Sequence, residues 1–121
     1  MPKTLLLADD SVTIQKVVGI SFANEDVVLV TVDNGDAAVQ KAREVQPDIV
    51  LADVVMPGLD GIELARRAAK EQPGIKVMFI TGFAAVALKA REETSRGARV
   101  LSKPFHLREL VSQIDVMLSA R

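Results

Sequence analysis

The sequence predicts an α/β fold, a single doubly wound (βα)5 domain built on a parallel five-stranded sheet. Three observations carry this. Short apolar runs alternate with amphipathic stretches along the chain, the pattern of successive βα units. Parallel neighbours need right-handed crossovers, so the helices cover both faces of the sheet. Several apolar runs end on a carboxylate, a hydroxyl or an ammonium, and in such folds the reactive crevice lies beyond the carboxyl ends of the strands.

Each element has its own signal. Thr4-Leu5-Leu6-Leu7-Ala8 is strand one and ends on Asp9-Asp10. Ser11 caps the next helix, in which Ile14, Val17, Val18 and Phe22 share one stripe. Asn24-Glu25-Asp26 breaks it, and the β-branched run from Val27 to Val32 is strand two. Asp33-Asn34-Gly35-Asp36 reads as a turn. Ala38, Val39, Ala42 and Val45 mark a second helix, stopped before Pro47. Residues 48–53 are strand three, followed by the turn signal Met56-Pro57-Gly58. Residues 61–72 form a third helix with Ile62, Ala65, Ala68 and Ala69 inward and Arg66, Arg67, Lys70 and Glu71 outward, ended by Pro73-Gly74. Residues 76–80 are strand four and open into Thr81-Gly82. Residues 84–96 are expected to form a fourth helix, closed by Gly97. Residues 98–101 are a short fifth strand, leading to Ser102-Lys103-Pro104. Leu107, Leu110, Val111, Ile114, Met117 and Leu118 define the last helix.

Composition narrows the function classes. A chain of 121 residues fits one domain, spanning 1–121. A formal net charge of -1 creates no bulk field for nucleic acid or an anionic membrane, so neither is expected as a direct partner. The absence of cysteine excludes thiolate chemistry, and a single histidine excludes a multi-histidine metal site. No apolar run approaches the roughly 20 residues of a membrane span and no signal peptide is visible, so the cytoplasm is the expected compartment.

The polar residues at the strand ends are Asp9, Asp10, Asp53, Thr81 and Lys103, from four separate strands. Three carboxylates in a small volume need a counter-charge. Oxygen ligands without His or Cys suit Mg²⁺. A carboxylate can also attack a phosphoryl group and form an aspartyl phosphate. Such a transfer asks the protein mainly for positioning and charge neutralisation. Asp53 is the candidate nucleophile, with Thr81 as a hydroxyl donor and Lys103 as a point charge for phosphate oxygens.

In this order the Asp9-Asp10 pair, the Asp53-x-x-Met56-Pro57-Gly58 turn, the Thr81-Gly82 step and the Lys103-Pro104 step resemble a response-regulator receiver domain of the CheY-like superfamily. The resemblance implies a flavodoxin-like α/β fold with the strand order 2-1-3-4-5. It makes Asp53 the phosphoacceptor, Thr81 and Lys103 the phosphoryl-binding groups, and Asp9, Asp10, Asp53 and the Val55 backbone carbonyl the Mg²⁺ ligands. It implies a cis Lys103–Pro104 bond. It implies a two-component phosphorelay, with a sensor histidine kinase or histidine phosphotransfer protein as phosphoryl donor. The chain would be a signalling switch that catalyses only its own phosphorylation and dephosphorylation. Output would pass to a downstream protein or attached domain through the face made by the expected helix over 84–96, the fifth strand and the last helix, a face also open to a dimer on phosphorylation. Residues 76–90 and 100–111 further resemble a narrower group of single-domain cell-cycle receivers, which are fed by a phosphorelay and control proteolysis.

Plainer readings stand beside these. Asp9 and Asp10 are also good helix-terminus acids, Thr81 a strand-end hydroxyl, and Lys103 a surface charge. His106 reads as a solvated loop residue, and Phe83 and Phe105 as packing residues. A Mg²⁺-dependent phosphatase with an aspartate nucleophile would want a second acid two residues after Asp53, where Val55 stands. A non-phosphorylated interaction module leaves the acid set without a purpose. Two departures from the family pattern matter. Val100 replaces the aromatic switch residue three positions before Lys103 and cannot make a large rotamer swing, which shifts the expected switch to Phe83. Val55 and Phe83, flanking the path of an attacking water, offer no group to orient it, so a long-lived phosphoryl group is expected.

Overall fold

A computed structural model describes residues 3–56, 58–82, 99–103 and 105–119. Five parallel strands, β1 (Lys3–Ala8), β2 (Val27–Val32), β3 (Ile49–Asp53), β4 (Lys76–Thr81) and β5 (Arg99–Ser102), lie in the order β2-β1-β3-β4-β5. The described helices are α1 (Val12–Ser21), α2 (Gly35–Val45), α3 (Gly61–Glu71) and α4 (Leu107–Ser119). The expected helix over residues 84–96, its Gly97 cap, Phe83 and Pro104 lie outside the described residues.

Successive residues of the inner strands face opposite layers. Leu6, Ala8, Val50, Ala52, Val77 and Phe79 pack with Ala38, Val39 and Ala42 of α2 and Leu64 and Ala65 of α3. Leu5, Leu7, Ile49, Leu51, Met78, Ile80 and Leu101 pack with Val18 and Phe22 beside α1 and Leu110, Ile114 and Met117 of α4. Both faces of β1, β3 and β4 are therefore covered, which is why these runs read as continuously apolar. All five residues of β3 are buried, Asp53 among them.

The helix caps are local. Ser11 accepts from the Ile14 N–H at 3.2 Å, as expected. Asn34 accepts from Ala37 at 2.8 Å and Asp60 from Glu63 at 2.9 Å. The stretch read as a turn at 33–36 thus already contains the first residues of α2. Gln46 ends α2 in the left-handed conformation, with φ 45°. Val100 packs against the α2–α3 layer, and Phe105 against the α1–α4 layer, a packing role as expected.

Candidate phosphoacceptor and metal site

Sheet pairing runs past the strand ends and sets the backbone of the site. Asp9 N–H donates to Val32 O at 3.1 Å, Val54 N–H to Ile80 O at 3.1 Å, and Lys103 N–H to Thr81 O at 2.8 Å. Each residue beyond a strand is therefore tied to the neighbouring strand. The register pairs Asp53 with Ile80 and Thr81 with Ser102, so Thr81 follows directly after Asp53's partner. Gln15 Nε2 donates to Asp9 O at 2.8 Å and tethers the start of α1 to the same edge.

Asp9, Asp10 and Asp53 form one acid cluster, with a carboxylate oxygen from each lying within 4.8 Å of the others. Their environments differ. Asp9 is fully buried, Asp53 is 7% exposed, and Asp10 opens to solvent. Asp53 Oδ1 accepts the Val55 N–H at 3.2 Å, and Asp53 Oδ2 faces Lys103 Nζ at 3.3 Å. Asp9 Oδ1 accepts the Ser11 N–H at 2.8 Å. Asp9 Oδ2 has no hydrogen-bond partner among the described residues, although Lys103 Nζ stands 3.5 Å away. Burial pushes the Asp9 carboxyl above the usual carboxylate range. The Ser11 N–H opposes this, the Asp53 charge adds to it, and Lys103 opposes it.

An acid buried with one oxygen left open is costly. The donor set is all oxygen, gathered within 4.8 Å and short of positive charge, and so fits a hard divalent cation such as Mg²⁺. Asp9, Asp10 and Asp53 would hold it, and Asp9 Oδ2 is the atom left open for it. Thr81 is buried at the end of β4, beside this cluster in the register. Val55 is 56% exposed at the mouth. All five strand-end residues singled out in the sequence thus fall on one edge. The difference between Asp9 and Asp10 was not visible there, since it depends on how the sheet and α1 close over the first acid.

The description "Response regulator receiver domain" matches residues 5–115. The chain belongs to the response-regulator receiver family. It is 46% identical over 118 residues to the "Response regulator receiver protein CpdR" of Brucella abortus, covering 98% of both chains. It is 29% identical to the "Probable transcriptional regulatory protein TcrX" of Mycobacterium tuberculosis, spanning 50% of that protein. A putative response regulator from Chloroflexus aurantiacus superposes with a TM-score of 0.88 at 25% identity, over 99% of this chain and 100% of that one. The BeF3-activated DrrB receiver domain, at 24% identity and TM-score 0.88, shares the fold. The receiver fold and the 2-1-3-4-5 order implied by the sequence resemblance are therefore found. Among the described residues, no helix is long and apolar enough to cross a membrane.

Proposed function

We propose that this receiver accepts a phosphoryl group on Asp53 from a phosphohistidine of a sensor histidine kinase or histidine phosphotransfer protein. It works in the cytoplasm as a CpdR-like signalling switch, with residues 1–121 acting as one domain. One observation carries this reading: a near-buried Asp53 faces Lys103 at 3.3 Å while the adjacent Asp9 keeps a buried oxygen without a hydrogen bond. In this reading an Asp53 oxygen forms a bond to phosphorus as the phosphorus–nitrogen bond to the donor histidine breaks, and the electron pair leaves on the imidazole. Lys103 draws charge from the phosphoryl oxygens, and Thr81 donates its hydroxyl to another. Asp9, Asp10, Asp53 and the Val55 carbonyl would hold a Mg²⁺ ion, which would supply further positive charge for the transferring group. The product carries roughly -1.5 to -2 charge at Asp53, which biases an output surface that includes β5 and α4 and thereby the bound partner or dimer. The chain has no separate substrate, so its chemistry is confined to its own phosphorylation and dephosphorylation.

The test is incubation with acetyl phosphate and Mg²⁺ followed by intact-mass measurement. One phosphate-sized gain is expected, absent in Asp53→Asn and absent without divalent cation. An adduct that persists in Asp53→Asn overturns the assignment. Sustained hydrolysis of a phosphate monoester without an adduct would support the phosphatase instead.

A further inference from the structure

The connection between β3 and α3 rests on the first turn of α2, backbone against backbone. A Cβ placed on Gly35 would stand 2.0 Å from the Leu59 carbonyl oxygen and 2.6 Å from Leu59 Cβ. The far end of the connection is equally close-fitting. A Cβ on Gly61 would stand 2.3 Å from the Asp53 carbonyl oxygen and 3.1 Å from the Val54 Cα, and the Gly61 N–H donates to Val54 O at 3.1 Å. Gly58, with φ +74°, adopts the left-handed backbone that favours glycine. Gly61 works within the connection itself. Gly35 belongs to a different βα unit and holds the connection from outside.

We infer that Gly35 is a positioning residue for the cation site: by carrying no side chain it lets α2 set the path of the β3–α3 connection and, through it, the place of the Val55 carbonyl. This rests on the proposed role of that carbonyl as a cation ligand. Ordinary contact begins at 3.4 Å, so a methyl group at Gly35 forces Leu59 and α2 apart by about 1.4 Å. The helix is the stiffer partner. Its Ala38, Val39 and Ala42 are in the core and Asn34 caps its first turn. The connection is the softer one, since Val55, Gly58 and Asp60 are exposed. Most of the displacement therefore falls on the residues that follow Asp53. Metal–oxygen distances tolerate only about 0.2 Å, so a shift of this size removes a ligand without touching any carboxylate.

The experiment is calorimetric titration of the 121-residue chain with Mg²⁺ alone, on wild type, Gly35→Ala, Leu59→Ala and Gly19→Ala. Amide spectra of each establish that it is folded, and the affinity of folded protein is a readout that simple loss of stability does not move. Gly19 has no atom within 4 Å of an added Cβ and serves as the helix-glycine control. Wild type and Gly19→Ala should bind alike. Gly35→Ala should lose at least about tenfold in affinity, the range seen when groups supporting a metal site are removed. Leu59→Ala keeps the carbonyl and Cβ that meet Gly35 but removes the side chain's packing against the α2–α3 layer. It frees the same connection without adding bulk and should move in the same direction, which keeps the test decisive where Gly35→Ala does not fold. Wild-type affinity in folded Gly35→Ala, or in Leu59→Ala where Gly35→Ala is unfolded, overturns this inference alone. A wild-type chain that takes no Mg²⁺ overturns both this inference and the cation reading beneath it.

Discussion

Replacing Asp9 by Asn should stabilise the cation-free protein while abolishing its response to Mg²⁺. Asp9 is fully buried, and its two oxygens are unequally served. Oδ1 accepts the Ser11 N–H at 2.8 Å, whereas Oδ2 lacks a hydrogen bond and has only Lys103 at 3.5 Å, an ammonium shared with Asp53. Asn keeps the Oδ1 acceptor and removes the charge that burial disfavours. Asn also places an NH₂ donor where the orphaned oxygen stood, beside the Asp10 and Asp53 carboxylates. Satisfying a buried polar atom in this way is worth about 1–3 kcal/mol, and relief of that order is expected in chelator at neutral pH. For a domain of this size that raises Tm by roughly 4 °C or more. The pH dependence supplies a second readout. The folded-state pKa of Asp9 is raised, so the native protein binds a proton more readily than the unfolded chain does. Stability therefore falls as pH rises from the unfolded value of about 3.9 through the folded value, and is level above it. The gap between variant and wild type should open across that window and close below it.

Mg²⁺ works against this ranking. A ligand that binds only the native state at 100 times its Kd adds about 2.7 kcal/mol, and wild type should gain on that scale while Asp9→Asn gains nothing. Thermal melts in chelator and in saturating Mg²⁺, taken at several pH values, measure all of this. The melts should be followed by circular dichroism, because the chain has no Trp or Tyr. A variant that is less stable than wild type in chelator at neutral pH, or that keeps the full Mg²⁺ gain, refutes the reasoning.

Lys103→Ala leaves Asp9 and Asp53 facing each other without their shared ammonium, whose side chain is 27% exposed. It should cost about 1–2 kcal/mol, a buried-pair penalty discounted for solvent, and slow phosphorylation by acetyl phosphate, read by chemical melts and intact mass. Val55 presents an apolar side chain at the mouth of the site. Wild-type phosphoprotein should persist for minutes or longer, Val55→Glu should shorten that lifetime by giving the attacking water an acceptor, and loss of labelled phosphate measures both. Gly19→Ala, in open space on α1, should add roughly 0.5–1 kcal/mol with no change in phosphorylation.

The strand ends were legible because the chemistry there is unlike its surroundings. Asp53 closes the apolar run Ile49-Val50-Leu51-Ala52, and Lys103 and Thr81 close theirs in the same way. The parallel sheet was legible for the same reason, since runs such as Leu5-Leu6-Leu7 suit a strand covered on both faces. What escaped the sequence depends on contacts between distant segments. Asp9 and Asp10 are adjacent and chemically identical, yet only the first is enclosed by β2 and α1. Asn34-Gly35 looked like turn chemistry, and it is the start of a helix whose glycine admits the Leu59 carbonyl. Asp60 follows a Gly and a Leu in the connection, and its role as the cap of α3 emerges only from its bond to Glu63.

The electrostatic balance of the edge ties these pieces together. Among the described residues three carboxylates gather at this edge with one ammonium, which stands against Asp9 and Asp53, and the most enclosed acid has an open oxygen. The fold tolerates this imbalance because β1 and β3, which carry Asp9 and Asp53, are packed on both faces and anchor the acids rigidly. A divalent cation would match the deficit in charge, and a phosphoryl group on Asp53, as proposed, would then restore a need for the ammonium. Lys103 Nζ lies almost equally far from Asp9 and Asp53, at 3.5 and 3.3 Å. It can shift its weight between the two acids by a small motion of one side chain. The backbone N–H of the same residue donates to Thr81 O at 2.8 Å, so the lysine that faces both acids is itself held by the end of β4.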